Sequence, residues 1–158
     1  MTRRTDYLDD PAAPPVNSIV PAASVVAFDA EGRILLQRRS DNDQWALPGG
    51  AMQPGETIAA TAVRETREET NIEVEVTGLV GIYTSPRHVI AYQDGEVRQE
   101  FNVCFRGQAR PGGLRPSSES VEVRFVAEDE LAGLAMHPST RLRVEHSLDR
   151  TRPAPYIG

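Results

Sequence analysis

The residues best placed to do chemistry in this chain are Glu65, Glu68 and Glu69, which stand at i, i+3 and i+4 in the run RETREETNI. On a helix, at about 100° per residue, the three carboxylates share one wedge of surface. Asn71 suits a left-handed stop, so Glu68 and Glu69 fall in the last turn. There the negative end of the helix disfavours anions by about 0.3–1 kcal/mol each. Their mutual repulsion adds to that cost, and Arg64 and Arg67 offset only part of it. Acidic groups gathered against both penalties suit a divalent cation held by oxygen, Mg²⁺ or Mn²⁺. The same pattern also suits a solvated acidic helix face.

Positioning these groups takes a helix and the turns ahead of it. Pro48, Gly49 and Gly50 form one turn signal, and Pro54 and Gly55 a second. Residues 57–70 then read as helix, because Ala59, Ala60, Ala62, Arg64, Glu65 and Arg67 outnumber the β-branched residues. Ala59, Ala62, Val63 and Thr66 fall on one face. Upstream, 22–29 and 34–38 read as strands joined at Ala30, Glu31 and Gly32, and Trp45 is expected to wedge the glycine turn against the helix. Downstream, 72–84 reads as a long strand with bends or bulges at Gly78 and Gly81. Residues 89–92 and 97–106 form an expected hairpin closed around Asp94 and Gly95. A loop over 111–120, a strand over 121–126, a short helix over 129–134 and a terminal helix over 139–148 with Leu142 and His146 on one face complete the pattern. The order gives a mixed sheet with helices on its faces, of α+β or α/β class.

The stretch from Gly50 to Ile72 resembles the Nudix box, G-x5-E-x7-R-E-U-x-E-E-x-G-U, where U is a bulky aliphatic residue. Gly50, Glu56, Arg64, Glu65, Glu68, Glu69 and Ile72 match in register. Thr66 stands where the pattern has an aliphatic residue, which loosens the packing under the helix slightly. Asn71 stands at the glycine, and it is the residue that best tolerates the left-handed conformation after glycine. No charged position departs from the pattern.

The resemblance implies an αβα sandwich with the box helix against the open end of a mixed sheet. It also implies hydrolysis of a nucleoside diphosphate linked to a group X, such as ADP-ribose or a nucleotide sugar, or of a nucleoside triphosphate. By the same resemblance, Glu65, Glu68 and Glu69 hold the metal, with a backbone carbonyl at Gly49 or Gly50 and Glu119 as further ligands, and Glu56 reaches back either as another ligand or as a support behind them. Glu65 and Glu69 are the first candidates for the base that takes a proton from the attacking water, and Arg64 orients the carboxylates. Arg39 is a candidate for a substrate phosphate. Tyr83, Arg87, Tyr92, Arg98 and Phe101 are candidates for the base or X pocket, with ordinary structural roles as the alternative. Tyr83, Ser85 and Pro86 lie where ADP-ribose-cleaving members carry a proline, though the glycine and acidic pattern that often follows is lacking. The other class of function is a Nudix-like nucleotide sensor or binding module without turnover. Such modules commonly lose box carboxylates, and all of them are present here.

A length of 158 residues fits one domain, and 39% apolar residues with 12 Gly lie in the ordinary globular range. The net charge of −6 argues against a nucleic-acid polymer as partner. All basic residues are Arg. Cys104 is the only cysteine, read as a core residue in a reducing compartment. With neither a signal-peptide pattern nor a run of membrane-spanning length, a cytoplasmic protein off the membrane is expected. Residues 1–17, with Pro11, Pro14 and Pro15, read as an extended arm, 18–150 as the single domain and 151–158 as a tail. A homodimer is expected, joined through the arm or the hairpin.

Overall fold

The apolar segments Ala22–Phe28 (AASVVAF) and Ile34–Arg39 (ILLQRR) are almost wholly buried, as strands covered on both faces must be. In the computed structural model, which describes residues 3–158, they lie near the middle of a mixed sheet. The strands, in chain order, are β1 (Arg4–Leu8), β2 (Ser18–Ile19), β3 (Ala22–Phe28), β4 (Ile34–Arg39), β5 (Trp45–Ala46), β6 (Gly49–Ala51), β7 (Val74–Tyr83), β8 (His88–Tyr92), β9 (Val97–Gln99), β10 (Asn102–Ala109), β11 (Ser120–Val126) and β12 (Tyr156–Ile157). Helix α1 (Ile58–Thr70) separates β6 from β7, and a 3₁₀ turn (Glu128–Gly133) and helix α2 (Pro138–Leu148) follow β11.

The larger sheet runs β11-β4-β3-β10-β7-β12, and alternate side chains feed a core on each face. Ala23, Val25, Ala27 and Leu35 pack with Ala62 of α1. Val26, Ile34 and Leu36 pack with Leu131 and with Val144 of α2. Helix, sheet and helix thus form the expected αβα sandwich. Strands β3 and β4 pair only at Phe28 and Ile34 and then part. The chain from Trp45 to Ala51 enters the gap, β5 pairing with β4 and β6 with β3. This is the open end of the sheet, and α1 packs over β3 and β6 there.

Two slips in register along β7 and β10 leave Thr77 and Val80 unpaired, each beside one of the glycines Gly78 and Gly81 expected to bend the strand. The Asp94–Gly95 hairpin forms between β8 and β9, but the strand expected over 97–106 is two. Glu100 N–H donates to His88 O, whereas Phe101 O accepts from Ala22 N–H, so the chain changes sheet between those residues. Trp45 is buried with Leu131 and Met136 on the α2 side, the face opposite the one expected. The buried face of α2 is Thr140, Arg143, Val144 and Ser147, and Leu142 is exposed. The apolar residues of α2 do not mark this face, because it is mostly polar.

A second, four-stranded sheet, β1-β8-β9-β2, lies across the open end. The expected arm therefore contributes a strand: Arg4–Leu8 pairs antiparallel with β8. The first two residues of that arm lie outside the described residues. The expected tail likewise adds β12 alongside β7. Cys104 is fully buried in the sheet. Among the described residues no helix is long and apolar enough to cross a membrane.

Candidate active site

Helix α1 is delimited by its own side chains. Thr57 Oγ1 accepts from Ala60 N–H at 3.1 Å, and Asn71 closes the helix at φ 64°. Its buried face is Thr61, Ala62, Thr66, Glu69 and Thr70. Thr66 and Thr70 donate their hydroxyls to the carbonyl one turn back, so the polar atom of Thr66 is accommodated under the helix without a partner from the sheet.

That rotation grades the three carboxylates from inside to outside. Glu69 is 6% exposed. It accepts hydrogen bonds from the Gln37 amide on β4 and, at 3.2 Å, from Gly49 N–H. Glu65 is half-buried and Glu68 is exposed. Close approach requires glycine at 49, where a Cβ would collide with the Ala23 carbonyl of β3; a Cβ on Gly50 would lie 2.5 Å from the Glu65 carboxyl carbon and would displace that side chain. Burial pushes the Glu65 carboxyl above its ordinary range. Burial, with the neighbouring Glu65 charge, pushes Glu69 well above it.

Arg64 ties the group together. Its Nη1 donates to Glu65 at 2.8 Å and Glu68 at 3.2 Å, its Nη2 to the Ala51 carbonyl and Glu56 at 3.2 Å each, and its Nε to Glu56. Glu56 also accepts from Gln53 N–H at 3.0 Å and Thr61 Oγ1 at 2.8 Å. The Arg64 hydrogen bond, helped by that Gln53 amide, brings the Glu56 carboxyl down to about 2. Glu56 is thus committed to Arg64 and the turn, behind the carboxylate cluster.

A cavity of about 460 Å³ opens between α1 and the loop carrying Ser117, Ser118 and Glu119, with Arg4, Arg39 and Tyr92 on its other walls. Glu119 faces the α1 carboxylates from there, its position held by a Ser40 N–H bond of 3.0 Å to its carbonyl. The cavity adjoins a second, of about 160 Å³, between the two sheets and the start of α2. Arg39 lines both and gives two hydrogen bonds to Asp41, at 2.9 and 2.7 Å. Arg98 and Phe101 line the second cavity, with Arg98 paired to Glu96 at 2.7 Å and lying over the Tyr92 ring.

Tyr83 and Arg87 are not brought to the cleft. Tyr83 is a core side chain, 3% exposed, its hydroxyl 2.8 Å from His146 Nδ1 and its ring stacked on Tyr156. Arg87 points outward and pairs with Asp9 at 3.1 Å. Their sequence neighbourhood suggested a pocket, but β7 turns Tyr83 into the α2-side core and the following turn carries Arg87 to the surface.

The inner cavity holds residues that the sequence reading did not single out. Asp6 Oδ1 lies 3.0 Å from His88 Nε2, and Glu100 Oε1 lies 3.4 Å from His88 Nδ1. His137 stacks on His88 with ring centroids 4.9 Å apart, and Arg143 donates to Glu100. Burial opposes charge on Asp6, but the bond to His88 and the Arg4 guanidinium outweigh it and bring the carboxyl down to about 2. Burial also opposes charge on His88, and Asp6 and Glu100 outweigh it, so the imidazole titrates above its ordinary value. Asp6, His88 and His137 each bring one polar atom within 4.8 Å of the others, and His137 Nδ1 caps α2 by accepting from Ser139 N–H at 3.2 Å. No spacing marks these residues in the sequence. The only signals are that the chain has three His and that Glu100 interrupts a strand pattern.

Comparison with known proteins agrees with this geometry. The NUDIX domain model matches residues 19–147. A MutT-like protein of Streptomyces ambofaciens is 37% identical over 130 residues, covering 80% of this chain and 76% of that one. An ADP-ribose pyrophosphatase of Methanocaldococcus jannaschii is 40% identical over 120 residues, covering 73% of this chain and 67% of that one. A solved NUDIX hydrolase from Nitrosomonas europaea superimposes with a TM-score of 0.72 at 24% identity, covering 91% of this chain and 80% of its own, which speaks to the fold. With a graded carboxylate cluster at the open end of an αβα sandwich and a family match over most of its length, the chain belongs to the Nudix hydrolase family.

Proposed function

We propose that this chain is a Mg²⁺-dependent pyrophosphohydrolase, with Mn²⁺ as an alternative ion. Its substrate is a nucleoside diphosphate linked to a second group, as in ADP-ribose or a nucleotide sugar, or a nucleoside triphosphate. The observation that carries the reading is the cluster itself. Glu65 and Glu69 are pressed together and pushed toward protonation, and Glu68 and Glu119 complete an acidic mouth that a polyanionic substrate cannot approach unaided. An all-oxygen donor set of this kind fits a hard divalent cation, and the absence of a Cβ at Gly50 leaves the Glu65 carboxylate free to take part.

In this reading Glu65, Glu68 and Glu69 hold the ion, with Glu119 and the backbone of the Gly49–Gly50 turn as further donors. Such an ion supplies Lewis-acid stabilisation of phosphate charge and makes bound water more acidic. Arg64 keeps the carboxylates in place through bonds to Glu56, Glu65, Glu68 and the Ala51 carbonyl. The Gln37 amide and Gly49 N–H fix the orientation of Glu69. Glu65 or Glu69 instead takes the proton from the attacking water, a role that the upward push of burial on both carboxyls supports. Arg39 and Arg4 flank the same opening and contact the phosphates. Tyr92, Arg98 and Phe101 offer the base or the second group flat and cationic surface in the inner cavity.

The kinship with an ADP-ribose pyrophosphatase supports a nucleotide-derived substrate, and the single buried cysteine agrees with a cytoplasmic setting. The deciding experiment is Mg²⁺-dependent turnover across ADP-ribose, nucleotide sugars, dinucleoside polyphosphates, and common and oxidised nucleoside triphosphates, with Glu68→Gln and Glu69→Gln alongside. Cleavage of one class, lost in both variants, supports the reading and names the substrate. No cleavage of any of them, with magnesium or a nucleotide still raising Tm, would replace it with a nucleotide sensor.

A further inference from the structure

We propose that Asp6 and His88 are positioning residues: protonated His88 holds β1 on the domain through Asp6, and β1 in turn holds Arg4 at the junction of the two cavities, where it binds substrate. A latch of this kind rests on the phosphate site proposed above and adds a pH-dependent control of substrate affinity.

Arg4 is the only residue that β1 contributes to the outer cavity, and it lines the inner one as well. The one carboxylate paired with it among the described residues is Asp6, whose Oδ2 lies 3.3 Å from Arg4 Nε, and that Nε is buried without a hydrogen bond. Alternate residues of a strand share a face, so Asp6 decides where the guanidinium of Arg4 points.

Asp6 is itself placed by His88. Its Oδ1 lies 3.0 Å from His88 Nε2, and on the other side of the ring Glu100 Oε1 lies 3.4 Å from Nδ1. A neutral imidazole carries one N–H, so either tautomer turns a lone pair toward a carboxylate. Only the imidazolium offers a proton to both. Arg143 of α2 donates to Glu100, and Arg98 of β9, the other strand beside β8, is paired with Glu96. His137 spends Nδ1 on the Ser139 N–H at 3.2 Å and stacks its ring on His88, which keeps water off without adding charge.

Loss of the His88 proton falls on β1. Glu100 keeps Arg143, whereas β1 is an edge strand whose only strand partner is β8. Segments with few anchors open first. Burial disfavours the imidazolium, but the two carboxylates prevail and hold it above the ordinary histidine range. A group raised in this way stabilises its contacts at low pH, and the stabilisation is lost as pH rises through its folded-state pKa. Arg4 then loses its place and substrate affinity falls, while the α1 carboxylates stay where they are.

The test has two arms. The first needs no substrate: amide hydrogen exchange of the full chain with Mg²⁺ is followed between about pH 5.5 and 9 and corrected for intrinsic rates, with NMR tracking the His88 ring. Protection over β1 should fall about 10-fold relative to β3 as His88 loses its proton, the ratio expected of one charge-assisted hydrogen bond. His88→Gln should remove that step. The second arm is steady-state hydrolysis of ADP-ribose in saturating Mg²⁺, where KM should rise about 10-fold through the same titration without a matching step in kcat. At the low end of the range Asp6→Asn should raise KM about 10-fold and keep kcat within about twofold. Arg4→Gln should raise KM similarly, and Arg4→Lys should recover part of the loss. Circular dichroism melts establish that each variant is folded, and the titration of the parent decides the matter where one is not. Protection over β1 that ignores the His88 titration, or a folded Asp6→Asn enzyme with the parental KM, overturns the proposal. Failure to cut ADP-ribose counts against the phosphate-site reading instead, and the exchange arm still decides whether His88 holds β1.

Discussion

At the outer end of the cleft, Glu56, Arg64, Glu65, Glu68 and Glu69 come from one turn and the helix that follows it, whereas at the inner end Asp6, His88, Glu100, His137 and Arg143 come from β1, β8, the β9–β10 connection and α2. The outer cluster is acidic, partly solvated and held against its own repulsion. The inner one is buried and nearly balanced in charge, with a histidine between two carboxylates. The difference teaches where each can fail. Loss of an outer carboxylate removes chemistry and relieves repulsion, while loss of an inner one strands a buried charge.

The sharpest way to break this comparison is Glu100→Ala, which leaves Arg143 and His88 facing each other without their carboxylate. Stability to urea should fall by about 3–5 kcal/mol, whereas Glu68→Gln at the exposed position should move it by no more than about 0.5 kcal/mol. Equal effects would mean that the inner cluster is solvated after all. Next in size is Glu69→Gln, with kcat/KM expected to drop about 100-fold or more, near 2.7 kcal/mol of transition-state stabilisation. In metal-free buffer the same variant should melt at or above the parent temperature, because Glu69 is costly to ionise where it sits. A Tm well below the parent would show the carboxylate to be structural.

Arg64→Met removes the tie among the outer carboxylates without removing any of them. Activity should fall about 10–100-fold, a smaller loss than for Glu69. The acid limb of the stability profile sharpens the same point. Arg64 holds Glu56 at about 2, below its usual 4.5. This contribution is present above about pH 4.5 and is lost as pH falls toward 2. Acid titrations of the parent and of Arg64→Met should therefore diverge at higher pH and converge in that window. The smallest expected effect is that of Thr66→Val, within about 1 kcal/mol, since the hydroxyl is satisfied within the helix and a methyl suits the same site.

Much of the outer end was legible in the chain because its geometry is local. A helical repeat sets the spacing of Glu65, Glu68 and Glu69 whatever surrounds them, and the left-handed stop at Asn71 follows from that residue's own tolerance. The central strands were equally legible from their continuous apolar runs. Misreadings came where a local pattern had two tertiary outcomes. Trp45 could pack on either face of the sheet, and β5 turned it toward Leu131. The 97–106 run could be one strand or two, and its change of sheet is visible only in the partners of Glu100 and Phe101. The acidic, proline-containing start resembles a loose arm, but β8 offers it an edge, and β1 takes it.

By itself the sequence determined the helix, its turns, the carboxylate face and the membership in a metal-using hydrolase family, because these depend on neighbours within a few residues and on a motif of fixed spacing. Only the tertiary structure decided how deeply each carboxylate lies, which candidate side chains reach the cleft, and that Asp6, His88 and His137 meet. Burial and long-range pairing are properties of the packed sheet, and no local spacing encodes an encounter between residues 6, 88 and 137.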